Sequence, residues 1–262
     1  MRDVYYTYIY PENENKPILH HHIIWCSPFF IKQMQNAIHM YIDGAYIFPN
    51  GFKQTIIILF YDIITKSRYP GAFILLNNKL YQGYLIAFNA FNNIIIKYNS
   101  IKIKLETISI DFEDALINAL QIIFPKVKLI GCFFHYMFNL DKTARKYGLY
   151  KFNNNEVRYI IKELGAIPFI YTDDNKIINK TFDILKEKYK FDEGILNLLN
   201  NYESYYRYQW IRYIENGMLN YHNIDKFRRS NSYIENYNRH LKNKLKPFIY
   251  KNKNSKIDWI FF

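Results

Sequence analysis

His39 to Leu76 reads HMYIDGAYIFPNGFKQTIIILFYDIITKSRYPGAFILL, and its punctuation decides the fold. Three runs dense in β-branched and aromatic residues, at His39–Phe48, Lys53–Tyr61 and Gly71–Leu76, are separated by Pro, Gly and Asn, the pattern of strands joined by turns. Connections this short predict an antiparallel meander. Beyond it, apolar residues at helical spacing over Leu80–Tyr98 predict a helix. A strand at Leu105–Ile110, a helix at Phe112–Ile123 stopped by Pro125, a strand at Val127–Cys132 and a helix running to Gly148 follow. The order β-β-β-α-β-α-β-α means antiparallel hairpins feeding a parallel half: an α/β fold with a mixed five-stranded sheet flanked by helices. From Leu149 to Phe227 helical patterns such as Asn175–Tyr189 and Tyr202–Leu219 replace the strand signal, and a last helix spans about Asn231–Lys246, ending at Pro247. The expected organisation is a lead-in segment at 1–38, the first part of the core at 39–148, a helical insertion at 149–229, and a final core helix with a basic tail at 230–262.

The 262 residues suffice for one large domain or two small ones. A hydrophobic fraction of 50% with 19% aromatics is too rich for a disordered chain. The longest apolar stretch, Thr55–Ile64, is interrupted by Asp62 and falls short of the ~20 residues of a membrane-spanning helix. The first residues, MRDVYYTYIYPENENKP, lack the apolar core of a signal peptide, so a soluble intracellular protein with no membrane partner is expected. Two cysteines, Cys26 and Cys132, exclude a disulfide framework and a zinc site built from three or four cysteines. The formal net charge is +12, and ten Lys/Arg against the single acid Glu235 lie between Lys226 and Lys256. Such a stretch is the footprint of a phosphate-binding surface, and equally of a solvated basic helix and tail.

Three carboxylates fall at chain positions of interest. Asp43 sits within the first strand pattern, Asp111 ends the fourth, and Glu235 lies on the last helix. Each has a plain alternative: Asp43-Gly44 as a type I′ hairpin turn, Asp111 as a helix cap, and Ser232–Glu235 as a capping box. Their combination favours chemistry, because the first and fourth strands of this order are neighbours at the centre of the sheet, and a late helix can add a third acid. Three converging carboxylates repel one another unless cations lie between them, and Mg²⁺ is the hard, oxygen-seeking ion that suits them. Such a cluster can hold two metals for phosphodiester chemistry.

These residues have a familiar arrangement. Tyr41–Ile57 (YIDGAYIFPNGFKQTII) resembles the IDGTF…Q opening of the Mutator-like (MULE) transposase domain of the DDE superfamily, and Ile110–Leu120 (IDFEDALINAL) its second-aspartate strand and helix. Gly131–His135 (GCFFH) is similar to its C-x-x-H element, and Ser230–Lys242 (SNSYIENYNRHLK) to its terminal NN..E..N..L helix. Ala45-Tyr46 stands where the family commonly has Thr-Phe. The resemblance implies an RNase H-like fold with an all-helical insertion before the last catalytic helix. It implies a catalytic and metal-binding triad of Asp43, Asp111 and Glu235, with Mg²⁺ or Mn²⁺, two ions, as cofactor. Cys132 and His135 match the C-x-x-H. The function it implies is metal-dependent DNA strand cleavage and transfer in the nucleus, on transposon ends and target DNA, with a homo-oligomer on DNA as a further expectation. Arg228, Arg229, Arg239, Lys242, Lys244 and Lys246 are the candidate DNA-binding residues. The alternative of another class is a host-retained or degenerate, transposase-derived DNA-binding protein without catalysis.

Other constellations weigh less. Cys132 and His135 could ligate zinc with Cys26 or the His20–His22 cluster, although those lack ligand spacing. Glu113 and Asp114 supply favourable charge to a helix first turn, or assist the metal site. Tyr205–Trp210 (YYRYQW) has the composition of a base-stacking platform, but aromatics at helical spacing more often form core. Gln54 matches the recurrent glutamine of the resemblance, and polar packing at a strand end is its plain reading.

Overall fold

The meander read from the sequence forms as three antiparallel strands, β3 (Ala37–Ala45), β4 (Gln54–Asp62) and β5 (Ser67–Leu76). The computed structural model describes residues 4–10, 18–45, 52–99, 103–151, 153–170 and 174–251. Strand β4, QTIIILFYD, is buried almost along its whole length, as its unbroken apolar run demands of a strand covered on both faces. Asp43 and Gly44 lie inside β3, paired with Ile57 and Ile56, so the hairpin-turn alternative is excluded. The expected strand extension through Phe48 lies partly outside the described residues.

Seven strands make up the sheet, in the order β1-β2-β5-β4-β3-β6-β7, against the five expected. The two additional strands come from the segment read as a lead-in: β1 (Val4–Tyr10) and β2 (Ile18–Trp25), an antiparallel hairpin that extends the sheet beyond β5. VYYTYIY is β-branched or aromatic at every position and ILHHHIIW carries three isoleucines and a tryptophan, and β2 buries Ile23 and Ile24. On the other side β6 (Thr107–Ile110) pairs in parallel with β3, and β7 (Lys128–Gly131) adjoins β6. The whole is a mixed α/β fold with a mixed sheet flanked by helices.

The chain divides into two compact units, Met1–Leu129 with Asn231–Phe262, and Ile130–Ser230. In the first, helix α1 (Pro28–Gln33) leads into β3, α2 (Tyr81–Tyr98) packs on β2, and α3 (Asp114–Ile123) packs on α2. Helix α8 (Ser232–Lys251) lies over β3 and β4. It runs past Pro247 rather than ending there, since a proline costs a helix one hydrogen bond and a kink without forcing it to stop. The core between sheet and helices holds Met40, Ile42, Ile56, Ile58, Tyr84, Phe88 and Phe91, each fully buried, and each contributes on the order of 1.5–3 kcal/mol by leaving water.

The second unit is helical: α4 (Phe133–Lys146), α5 (Asn154–Ala166), α6 (Asp174–Lys188) and α7 (Glu193–Glu215). Asn153 and Asp192 cap α5 and α7 by accepting backbone N–H bonds. Its core is aromatic, and several of its buried phenols find backbone acceptors: Tyr136 and Tyr202 donate to the carbonyls of Leu164 and Leu140. Tyr221 donates likewise to Gly131 O. Tyr202, Tyr206, Trp210 and Tyr213 form one buried stripe of α7, which settles Tyr205–Trp210 mainly as core, with Tyr208 exposed.

Candidate metal and nucleic-acid site

A polar ladder crosses the centre of the sheet in the first unit. Alternation along β3 puts His39, Tyr41 and Asp43 on one face, and the parallel register pairs His39 with Thr107 and Tyr41 with Ser109. One further step brings Asp43 beside Asp111, the residue that follows β6. Carboxylate oxygens of the two lie within 4.8 Å of one another. The rungs below are closed by hydrogen bonds: the buried His39 ring meets Thr107 Oγ1 at 2.6 Å and Ser109 Oγ at 3.1 Å. Tyr41, edge-on to His39 with centroids 4.3 Å apart, is pushed up to about 12 by burial, while the Arg68 guanidinium pulls the other way.

Helix α8 is fastened over this ladder. Asn231, fully buried, donates from Nδ2 to the Ile42 carbonyl at 3.0 Å, and Asn238 Nδ2 donates to Asp43 Oδ2 at 2.5 Å. Between them at helical spacing stands Glu235, so positions 231, 235 and 238 share one face of the helix, and the outer two are bonded to residues 42 and 43 of β3. The ligand-capable set containing Asp43 and Asp111 within 4.8 Å does not include Glu235, which lines an open pocket of about 690 Å³ with Ser232, Tyr233, Asn236 and Arg239. Arg68 of β5 completes the packing, its guanidinium 3.4 Å from the centroid of the Tyr233 ring. The backbone N–H of Glu235 bonds to Asn231 O, which makes Asn231 the residue at the helix cap and displaces Ser232 from the capping-box role.

The opposite face of β3 explains two other residues. A Cβ on Gly44 would lie 2.1 Å from Gln54 Nε2, so the strand needs glycine there to admit the glutamine. Gln54 in turn lies 2.6 Å from the buried Tyr84 hydroxyl, which is also 2.7 Å from Glu113 Oε1. With its single proton the Tyr84 hydroxyl donates to Gln54 Oε1 or to Glu113 Oε1, both of them acceptors. Glu113 is thus tied to Tyr84, on the face away from Asp43. Asp114 alone occupies the first turn of α3.

In the helical unit, Cys132 is a buried thiol outside any disulfide at the start of α4, with His135 one turn on and their ligand atoms within 4.8 Å. No ligand set with Cys26, His20 or His22 forms among the described residues. Of the candidate DNA-binding residues, Arg228 pairs with Asp225 at 3.5 Å, and Arg229 bonds the Ile224 carbonyl and lies over the Phe169 ring. Arg239, Lys242 and Lys244 are exposed on α8, with Arg239 bonded to Asn236; Lys246 lies on the same helix.

Part of the chain matches a known domain model. Residues 40–139 match the MULE transposase domain. The matched span contains Asp43, Asp111, Cys132 and His135. It stops short of α8, so Glu235 and the basic residues rest on their own geometry. A comparison with curated proteins finds no match. The oxygen chemistry at the paired rung fits the divalent ions that DDE transposases use: two carboxylates, with the buried amide of Asn238 beside them, are hard donors suited to Mg²⁺ or Mn²⁺.

Asn231 and Asn238 fall on the asparagines of the NN..E..N..L pattern but were given no role from the sequence, and the His39 rungs were not singled out. The 231/235/238 spacing is readable there, but lone asparagines carry no hydropathy signal, and the His39–Thr107–Ser109 contacts appear only once strand pairing is known.

Proposed function

We propose that this chain is the catalytic domain of a DDE-type transposase with an RNase H-like core, cutting and joining DNA strands with Mg²⁺ or Mn²⁺ through Asp43, Asp111 and Glu235. The observation that carries the reading is the parallel β3–β6 register, which sets two carboxylates side by side at the end of a ladder. Two like charges at that distance destabilise the fold unless a cation offsets them. Helix α8 contributes Glu235 from a face already anchored on β3, and Arg239, Lys242 and Lys244 from its exposed side, where a DNA backbone can lie along it.

Divalent cations held by these oxygens would polarise the scissile phosphate and stabilise charge on the attacking and leaving oxygens. Asp43 and Asp111 hold the reacting phosphate's surroundings in fixed geometry, and the basic side chains of α8 hold the strand. In the first step water oxygen bonds to phosphorus as the bond to the 3′ oxygen breaks, leaving a 3′-hydroxyl. In the second, that hydroxyl attacks a phosphodiester of the target, one P–O bond replacing another. The helical unit corresponds to the insertion of such transposases, and DNA as substrate accords with a nuclear location.

The test is nicking of supercoiled plasmid by the purified chain with Mg²⁺ or Mn²⁺. Asp111→Asn is expected to lower the rate by at least ~10²- to 10³-fold, the loss of several kcal/mol of transition-state stabilisation, while DNA retention stays at the parent level. A chain that retains DNA but nicks no faster than Asp111→Asn would be a binding module instead.

A further inference from the structure

Asn238 of α8 touches Asp43 of the acid pair directly. Its side chain is 7% exposed, and its Nδ2 lies 2.5 Å from Asp43 Oδ2. A carboxylate only accepts hydrogen bonds, so the amide must face Asp43 with its nitrogen. The amide oxygen Oδ1 is then directed elsewhere, and it is buried with no hydrogen-bond partner among the described residues. A buried carbonyl oxygen in that condition is unfavourable, and most such atoms in folded proteins are satisfied. Nitrogen and oxygen of one amide are only ~2.2 Å apart by covalent geometry, so Oδ1 lies no farther than about 4.7 Å from the Asp43 oxygen. Two oxygens sharing one Mg²⁺ at ~2.1 Å each are up to ~4.2 Å apart, a separation that lies within this bound.

We propose that Asn238 is a working member of the acid site, holding Asp43 through its amide nitrogen and presenting its amide oxygen as a neutral ligand to the cation between Asp43 and Asp111. The proposal rests on the metal-site reading above. The nitrogen contact orients the Asp43 carboxylate, whose bonded oxygen keeps a second lone pair for the ion. The neutral oxygen adds a ligand without adding to the repulsion of the two acids. Residue 238 lies one turn beyond Glu235, so the same helix brings both to β3, and Asn231 sets the depth at which they arrive.

The experiment titrates Mn²⁺ alone into the full chain at fixed pH and fixed ionic strength, reading free Mn²⁺ by electron paramagnetic resonance, with circular dichroism of each variant as the folding control. Asn238→Leu keeps the volume and removes both amide atoms; its Mn²⁺ affinity is expected to fall about 10- to 100-fold, as for loss of groups that orient metal ligands. Asn238→Asp loses the donor but keeps an oxygen, and it is expected to bind Mn²⁺ at least as tightly as Asn238→Leu by tenfold. A merely structural tether would lower the melting temperature of both variants and leave Mn²⁺ affinity at the parent value, which would overturn the proposal. Should Asn238→Leu fail to fold, Asn238→Asp decides: Mn²⁺ affinity more than tenfold below the parent overturns the ligand role. A parent chain that binds no Mn²⁺ overturns the metal-site reading itself. Parent binding with an unaffected Asn238→Leu overturns only the role of Asn238.

Discussion

Replacing His39 by leucine tests whether the ladder that aligns Asp43 with Asp111 is held by the contacts described. His39 is fully buried, with Thr107 Oγ1 at 2.6 Å, Ser109 Oγ at 3.1 Å and the Tyr41 ring edge-on at 4.3 Å. Leucine fills most of the space but leaves two buried hydroxyls without the ring nitrogens. Each abandoned hydrogen bond costs about 1–3 kcal/mol, less where a hydroxyl can rotate to a backbone carbonyl, and the lost ring contact about 0.5–1.5 kcal/mol. The added apolar burial offsets part of this, so a net loss of about 2–4 kcal/mol is expected. In urea followed by far-ultraviolet circular dichroism, with a slope of ~3 kcal/mol/M, the midpoint should fall by about 1 M. The control is the triple variant His39→Leu, Thr107→Val, Ser109→Ala, in which both sides of each bond are apolar; it should recover most of the loss. A single variant with the parent midpoint, or a triple variant no more stable than the single, would refute the reasoning.

Three other outcomes follow from the same structure. Burial raises the Tyr41 phenol to about 12, and raises Tyr136, Tyr202 and Tyr221 well above their usual value, so above pH ~10 the unfolded chain releases protons that the folded chain keeps. Stability should therefore fall as pH rises through 10, by up to ~2–3 kcal/mol at pH 12 from Tyr41 alone, and a denaturation midpoint that rises with alkalinity would contradict this. Gly44→Ala places a Cβ 2.1 Å from Gln54 Nε2, displacing the amide from Tyr84; a loss of ~1–3 kcal/mol is expected in urea, and a much smaller one when Gln54→Ala is already present. Neutralising Lys242 and Lys244 together should flatten the dependence of log DNA affinity on log salt by about 2 units, whereas an unchanged slope would make them a solvated face.

Much of this was legible in the sequence, for identifiable reasons. Asp43 and Asp111 could be matched because the β-β-β-α-β order makes their strands neighbours, and the register of His39 with Thr107 carries that inference to atomic range. Asp43-Gly44 was ambiguous because an Asp-Gly pair suits a tight turn; only the approach of Gln54 shows why a strand needs glycine there. The hairpin β1–β2 was missed although VYYTYIY is a strand former at every position, because a seven-residue strand becomes evident only with its partner. Helix α8 was expected to end at Pro247, where composition marks a stop but hydrogen bonding continues. Arg228 and Arg229 belonged to the basic run by charge alone, and their ties to Asp225, Ile224 and Phe169 could be known only from the fold of the helical unit.

The most direct measurement is anomalous scattering from crystals of the chain grown with Mn²⁺, which locates the ion without reference to activity. The expected result is an anomalous peak at ligand distance, about 2.1–2.3 Å, from carboxylate oxygens of both Asp43 and Asp111, and its disappearance in Asp111→Asn. Crystals at saturating Mn²⁺ that show no peak between the two aspartates, or a peak unaffected by Asp111→Asn, would contradict the claim that the β3–β6 register builds a metal site.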